Sequence, residues 1–394
     1  VADVSEGVAL NFYSANVEFD VQGTADAIAT NAGNLGKAED VVVVSGDVTI
    51  SEAQSIQGLS GYNASASAYE IEDSAANITA SNDQLMQNGN IHVDVTDTDV
   101  NASVGADLAA FTADIDFDVA DTAANIAAQI AAGNAAGYGA DSLEDAQSVV
   151  VESGTAVTAA QAESIQDLIN YSGGDIDISD TAAALISAGD HVLDVTGVDT
   201  VTVNDGAVTA QDGAILAGFT ADVHFDVEDD VSDLKAVMGQ NDAASYLTEA
   251  NSITVDNDGL GDRVVGANDG AILASFTADV EFDVVDSAQA IAAELTGTIA
   301  PGTGAGSLDE ADDVVASGGI VDAEDAAAIM QISEYNTAGS NFEISDDVAS
   351  VISAGSGVIE NGGVSRIDVT DVADVSEGVA LNTYSANVEF DVQG

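Results

Sequence analysis

One stretch of sequence occurs twice in this chain, and no other feature limits its fold as much. Residues 1–23 read VADVSEGVALNFYSANVEFDVQG and residues 372–394 read VADVSEGVALNTYSANVEFDVQG, with Phe12 against Thr383 as the one difference. Position 372 thus begins the sequence again from position 1. A near-exact return of this length predicts a parent chain that repeats with that period, 1–371 being one full period and 372–394 the start of the next. Such arrays fold by stacking, because each repeat contacts only its neighbours.

A shorter unit lies inside the period. It reads FDVQGTADAI from Phe19, YEIEDSAANI from Tyr69, FDVADTAANI from Phe117 and IDISDTAAAL from Ile176. It continues as FDVEDDVSDL from Phe225, FDVVDSAQAI from Phe282 and FEISDDVASV from Phe342, and Phe390 opens the next round. The intervals are similar but unequal, shortest from Tyr69 to Phe117 and from Phe342 to Phe390, and longest from Phe282 to Phe342. FTAD precedes three copies, at Phe111, Phe219 and Phe276. The FDV segment alternates apolar and acidic residues, the period of a half-buried strand. An acid or Gly, a Ser, Thr or Asp, and an Ala-rich run then signal a capped short helix, with Asp121, Asp180 and Asp286 as N-cap candidates. A Val-rich second strand follows, as at 41–46, 91–95, 148–154, 191–195 (HVLDV) and 252–256. Second helices are expected at 158–169 and 322–332.

The order is therefore strand, helix, strand, helix. A unit this small cannot bury both faces alone. The expected fold is an α/β repeat solenoid with parallel strands and short Ala-rich helices, about seven units of roughly 53 residues each. Its FDV strands are expected to share one parallel sheet, their rings stacked in register and acids such as Asp118, Asp226 and Asp283 forming a ladder. Strands lie about 4.8 Å apart and helices about 8–10 Å, so one or two strands per unit both remain open.

Composition narrows the function. Seventy acids against four bases give a formal charge of −66. Phosphate binding needs Lys and Arg, so nucleic acid and anionic membranes are excluded as partners. Divalent cations and neighbouring copies of the same repeat are the expected ones. Such acidity often means disorder, but 46% of residues are apolar and mean hydropathy is +0.18, enough for a core. No apolar run approaches the roughly 20 residues needed to span a bilayer. Cysteine is absent and proline occurs once, at Pro301. The four bases, Lys37, Lys235, Arg263 and Arg366, are scattered, and His92, His191 and His224 stand in no ligand or nucleophile pattern. An enzyme is not expected.

Calcium is the chemical possibility that remains, since it prefers carboxylate and carbonyl oxygens. The run DNDGLGD offers Asp256, Asp258 and Asp262 around two glycines; DVTDTD offers Asp94, Asp97 and Asp99; DVTD offers Asp368 and Asp371. None matches an EF-hand loop, and each is also a plausible Asx-turn closing a strand. Sequons occur at Asn63, Asn77, Asn101 and Asn170.

The DTAANI-type run, repeated among Val-rich strands, resembles the tandem repeats of giant secreted acidic bacterial surface proteins, often grouped with hemolysin-type calcium-binding adhesins. The glycine-rich nonapeptide of that group is absent. The resemblance implies an extracellular, cell-surface location and a structural role in a filament, surface layer or stalk. The alternative it implies is the stalk of a calcium-dependent adhesin whose binding domain lies elsewhere.

Overall fold

The computed structural model describes residues 1–14, 16–87, 90–136, 141–238, 247–257, 259, 261–275, 279–296 and 308–393. Pro301, Asp258 and the FTAD marker at Phe276 lie outside them. The chain divides into two compact units, Val1–Asp180 with Ala188–Val201, and Thr181–Ser187 with Thr202–Gly394. Both are mixed α/β.

In the first unit, Asp20–Thr24 pairs with Asp40–Ser45. Strands Asp47–Val48, Ala68–Asp73, Asn90–Val95 and Ile115–Asp116 follow one another in a second sheet. Asp118–Thr122, Ser148–Glu152 and Tyr171–Gly174 make a third. In the second unit, Asp226–Asp229, Ser252–Val255 and Val280–Glu281 form one sheet. Val264–Val265, Asp283–Asp286, Asp313–Val321, Asn341–Asp346, Val364–Ala373 and Val388–Val392 form another, in that order. Every pairing in these sheets is parallel, and the closest partners in sequence are pairs such as Val264 with Asp283, the most distant pairs such as Asp283 with Asp313. Parallel neighbours need a crossover, and here it is a strand-to-helix step with a helix of about two turns.

The register shows which strands are neighbours. Asp118 pairs with Ser148, Asp226 with Ser252, Asp283 with Asp313, and Phe342 with Val364. An FDV strand therefore lies beside a Val-rich strand. The expected direct stacking of FDV on FDV does not occur, so Asp118, Asp226 and Asp283 are not ladder neighbours. The rings are nonetheless core: Phe19, Tyr69, Phe117, Ile176, Phe225, Phe282 and Phe342 are all buried.

The Val-rich strands form as expected at Asp40–Ser45, Asn90–Val95, Ser148–Glu152 and Ser252–Val255, and the second helices at Ala159–Gln166 and Ala323–Ile329. HVLDV is an exception. Gly189, at φ 63, opens a helical turn Asp190–Leu193, and the strand begins later, at Val198. His191 is therefore helical while His92 is in a strand.

One packing device recurs. In five helices the fourth residue is glycine, and the ring of the next FDV strand lies against it. A Cβ on Gly213 would stand 2.9 Å from Val227, 3.2 Å from the Phe225 ring and 3.3 Å from Leu247. Gly105 with Phe117 and Gly270 with Phe282 repeat this, at 2.7 Å from Val119 and Val284. Interior glycine costs a helix about 1 kcal/mol relative to alanine, and here it makes room for the aromatic core.

Candidate functional site

The chemistry of this chain is its carboxylates, and most of those described have structural tasks. A helix leaves its first amides without partners. Here a Ser, Thr, Asn or Asp before most helices accepts from the third residue, as Thr209 does from Asp212 N–H and Ser287 from Ala290 N–H. The first helical amide is taken by an acid from the next strand. Asp229 accepts from Ala210 N–H at 2.9 Å, Asp286 from Ala267 at 3.0 Å and Asp121 from Ala102 at 3.0 Å, each 19 residues ahead. Asp73, Asp180 and Asp346 do the same for Ile50, Ala159 and Ala323. Carboxylates at helix N-termini also oppose the positive end of the helix dipole.

This corrects the N-cap reading of Asp121, Asp180 and Asp286. Each completes the helix before it, while its own helix is capped by the following residue, Thr122, Thr181 or Ser287. The other oxygen of Asp73 accepts from Ser74 N–H at 2.8 Å and Asn77 Nδ2 at 2.7 Å, and Asp121 makes the same pair with Thr122 and Asn125. That geometry is what D-[ST]-A-A-N encodes. Burial works to raise the Asp73 pKa, but the hydrogen bonds from Asn77, Ile50 and Ser74 outweigh it and hold the carboxyl below its usual 3.8. Gly23 stands where this acid would be in the first copy; a Cβ there would meet Val4 at 2.4 Å.

A second row of acids lies along the strands, several of them paired with a group that relieves their charge. Asp118 accepts from Ser148 Oγ at 2.6 Å, Asp226 from Ser252 Oγ at 2.7 Å and Asp177 from Thr200 Oγ1 at 2.6 Å. Arg366 lies within 3.5 Å of Glu343, 3.9 Å of Asp368 and 3.7 Å of Glu389, acids of three consecutive strands. Arg263 reaches Glu281 at 3.1 Å and Asp312 at 2.9 Å, and Lys235 meets Asp269 at 2.5 Å. These three scattered bases thus sit at acids. His92 stands 3.0 Å from Asp116 and 3.3 Å from Asp94. Burial disfavours its charged form, but the carboxylates of Asp116, Asp94 and Glu70 outweigh burial and raise its pKa above 6.5. Elsewhere acid meets acid: hydrogen bonding to Asp94 raises the Glu70 pKa, and hydrogen bonding to Asp256 raises that of Glu228.

Among the described residues, Asp94 is the calcium candidate that joins a group of three close ligand atoms, and Asp258 of the DNDGLGD run lies outside those residues. Asp97 accepts from Ala75 N–H at 2.6 Å and Asp371 from Val348 N–H at 2.8 Å, so both are helix-completing acids. Asp99 is exposed, Asp94 faces His92 and Asp368 faces Arg366. Asp256 accepts from Gly261 N–H and Asp262 from Val264 N–H, the bonds of a closed turn. Among the described residues, three groups bring potential ligand atoms within 4.8 Å of one another: Glu70, His92 and Asp94; Asp47, Glu70 and Glu72; Asp229, Asp230 and Asp233. The first contains imidazole, a poor calcium ligand. In the third, Asp229 and Asp230 are already engaged by backbone amides. Asp47, Glu70 and Glu72 also offer the all-oxygen set calcium prefers, and the sequence reading missed it because its members come from two separate strands.

The sequon asparagines are also structural. Asn63 donates to Asp40, Asn77 to Asp73 and Asn170 to two backbone carbonyls, while Asn101 caps a helix. Among the described residues no helix is long and apolar enough to cross a membrane. No protein-family model matches the chain, and no curated protein is significantly similar to it.

Proposed function

We propose that this chain is a structural repeat segment of an extracellular filament, surface layer or stalk, laddered as a continuous solenoid and stabilised by cations. The observation that carries the reading is the forward-reaching acid. Helix after helix is completed by a carboxylate of the next step, so a step is finished only when another follows it, as a stacked array requires. Many of the described acids serve caps and charge relief, which supports a structural role.

The charge supports the cation part. Removing the overlap, whose acids are Asp374, Glu377, Glu389 and Asp391, leaves 66 acids and four bases in one period. With two strands for each of seven units, the array carries about four net negative charges per strand spacing of ~4.8 Å. That is about 0.9 per Å, above the one per ~1.7 Å at which duplex DNA condenses counterions. Ions that bind the folded array and not the unfolded chain stabilise it by mass action. Calcium is the ion proposed, with Asp47, Glu70 and Glu72 as the donor set that fits it. The test is thermal unfolding in chelator, with and without calcium at fixed ionic strength. Calcium is expected to raise the melting temperature more than sodium does; coincident curves remove calcium from the account. Surface labelling of intact source cells tests the location.

A further inference from the structure

One place in the sheets recurs in two copies of the short unit, with a different base at its centre. In the copy at Phe342, Glu343 pairs in register with Arg366, and Asp368, on the same strand as Arg366, pairs with Glu389 of the next. In the copy at Tyr69, Glu70 pairs with His92, and Asp94, on the same strand as His92, pairs with Asp116 of the next. The residues between them, Ile344 and Ile367 in one copy and Ile71 and Val93 in the other, are fully buried. Side chains alternate across a strand, so the polar groups of each set share the face away from that core. Glu70, His92, Asp94 and Asp116 are thus the counterparts of Glu343, Arg366, Asp368 and Glu389.

Arg366 fills its seat. Its Nε lies 3.5 Å from Glu343, Nη2 3.9 Å from Asp368 and Nη1 3.7 Å from Glu389, one nitrogen to each acid. His92 is shorter and brings one nitrogen to all of them. Its Nε2 stands 3.0 Å from Asp116 and 3.3 Å from Asp94, and Glu70 places an oxygen within 4.8 Å of the His92 and Asp94 donor atoms. A single ring N–H points one way and cannot serve three carboxylates. The seat that holds a fixed cation in one copy therefore holds, in the other, three acids around a nitrogen that can ligate.

We propose that Glu70, His92, Asp94 and Asp116 form a site for a divalent transition-metal ion, zinc by the chemistry of the donors. Imidazole favours zinc and its neighbours over calcium or magnesium, and carboxylates complete a mixed nitrogen and oxygen set. Zinc takes four donors at about 2.0–2.2 Å, in a tetrahedron whose corners lie roughly 3.3–3.6 Å apart. The distances from His92 to Asp94 and Asp116 are already close to that edge. An ion of two positive charges relieves three carboxylates more fully than the single charge of Arg366 does in its own set. The side chains of His92, Asp94 and Asp116 are part-exposed, so an ion reaches them from solvent. Glu70 also belongs to the calcium donors Asp47, Glu70 and Glu72; the nitrogen is what sets this site apart.

The test is calorimetric titration of the full chain with zinc chloride, after chelator treatment, in constant excess magnesium at fixed ionic strength. Magnesium, an oxygen-seeking ion, covers acids that offer no nitrogen. One zinc site is expected, and the His92 ring signals in nuclear magnetic resonance should shift as it fills. His191→Ala with His224→Ala leaves the site unchanged. His92→Ala and Asp116→Asn weaken it at least about tenfold. His92→Arg recreates the Arg366 arrangement, so it melts in chelator no lower than the parent chain yet loses the zinc site. Zinc bound by His92→Arg as tightly as by the parent overturns the site. So do His92 ring signals that stay put as zinc is added, which would leave the imidazole as a charge-relieving base only. The calcium reading is measured by melting without zinc and stands or falls separately.

Discussion

Two kinds of step lead from a Val-rich strand to the next FDV strand, and their difference shows what sets the spacing of helix and sheet there. Where Val208 partners Val227, the step is 19 residues long and glycine, Gly213, is fourth in its helix. The other steps with glycine at this place, at Gly7, Gly105, Gly270 and Gly378, have the same length. Where Val157 partners Ile178, the step is 21 residues and the fourth residue is Ala162, fully buried. Ala53 and Ala326 belong to steps of 23. The shortest connection leaves no room for a side chain between helix and core; a slightly longer one admits one methyl group. In these steps chain length and side-chain volume compensate each other, as close packing requires; the steps from an FDV strand to a Val-rich strand instead carry a bulky fourth residue, as at Ile28 and Ile78.

Four measurements test the difference between these steps. The largest effect is expected from Phe225→Ala, which empties the space Gly213 leaves open and should cost about 3–5 kcal/mol in denaturant unfolding. A loss under about 1 kcal/mol would mean the ring is not what the glycine accommodates. Next is the exchange of the fourth residues. Gly213→Ala places a methyl 2.9 Å from Val227 and should cost about 1–3 kcal/mol from overpacking, less the ~1 kcal/mol of regained helix propensity. Ala162→Gly should lose about 1 kcal/mol with no strain relieved. A stabilised Gly213→Ala protein would dissolve the distinction between the steps.

Third, Asp229→Ala in the short step and Asp180→Ala in the longer one remove the forward-reaching acids, at about 0.5–2 kcal/mol each. Amide exchange should quicken first at Ala210 and Ala159; unchanged exchange there would show that the acids are dispensable.

The smallest effect is pH dependence, and it has two signs. Backbone amides hold the carboxyls of Asp3, Asp347 and Asp374 below 3.8, and Asp73 is held low despite burial. Stability from these groups is full above that value and is lost as pH falls through their depressed pKa values. Glu70 and Glu228, raised by acid partners, act the other way: stability rises as pH falls through their folded pKa toward 4.5. His92, raised, adds stability below 6.5 that is lost as pH climbs through its folded pKa. Melting temperature should therefore peak on the mildly acidic side of neutrality and fall below 3.8. A monotonic rise from acid to alkaline pH would mean the acid pairs do not form.

The strands and helices that sequence patterns located share one property: their signal is local. Val-rich runs at 148–152 and 252–255 and the Thr158 cap announce themselves within a short stretch. HVLDV misled because its alternation suits a strand, while Gly189 starts a helical turn that buries the adjacent Val192 and Leu193. The forward-reaching acids were illegible for another reason. An acid beside a helix start looks like that helix's own cap, and only the fold shows that Asp286 serves Ala267. Sequence separation likewise hid the Asp47, Glu70 and Glu72 set.

The forward-reaching acid also bears on how such a gene can change length. Asp229, Asp286 and Asp121 each serve a helix 19 residues earlier, so a deletion that removes part of a step separates an amide from its acceptor. Loss or gain of a whole step joins each helix to an equivalent acid and leaves the bonding intact. Recombination between copies as alike as 1–23 and 372–394 does this by construction, inserting or removing one entire period at once. Variation in natural length is therefore expected in whole steps or whole periods, and smaller insertions should collect in the longest connections, such as the 30-residue step between Asp118 and Ser148.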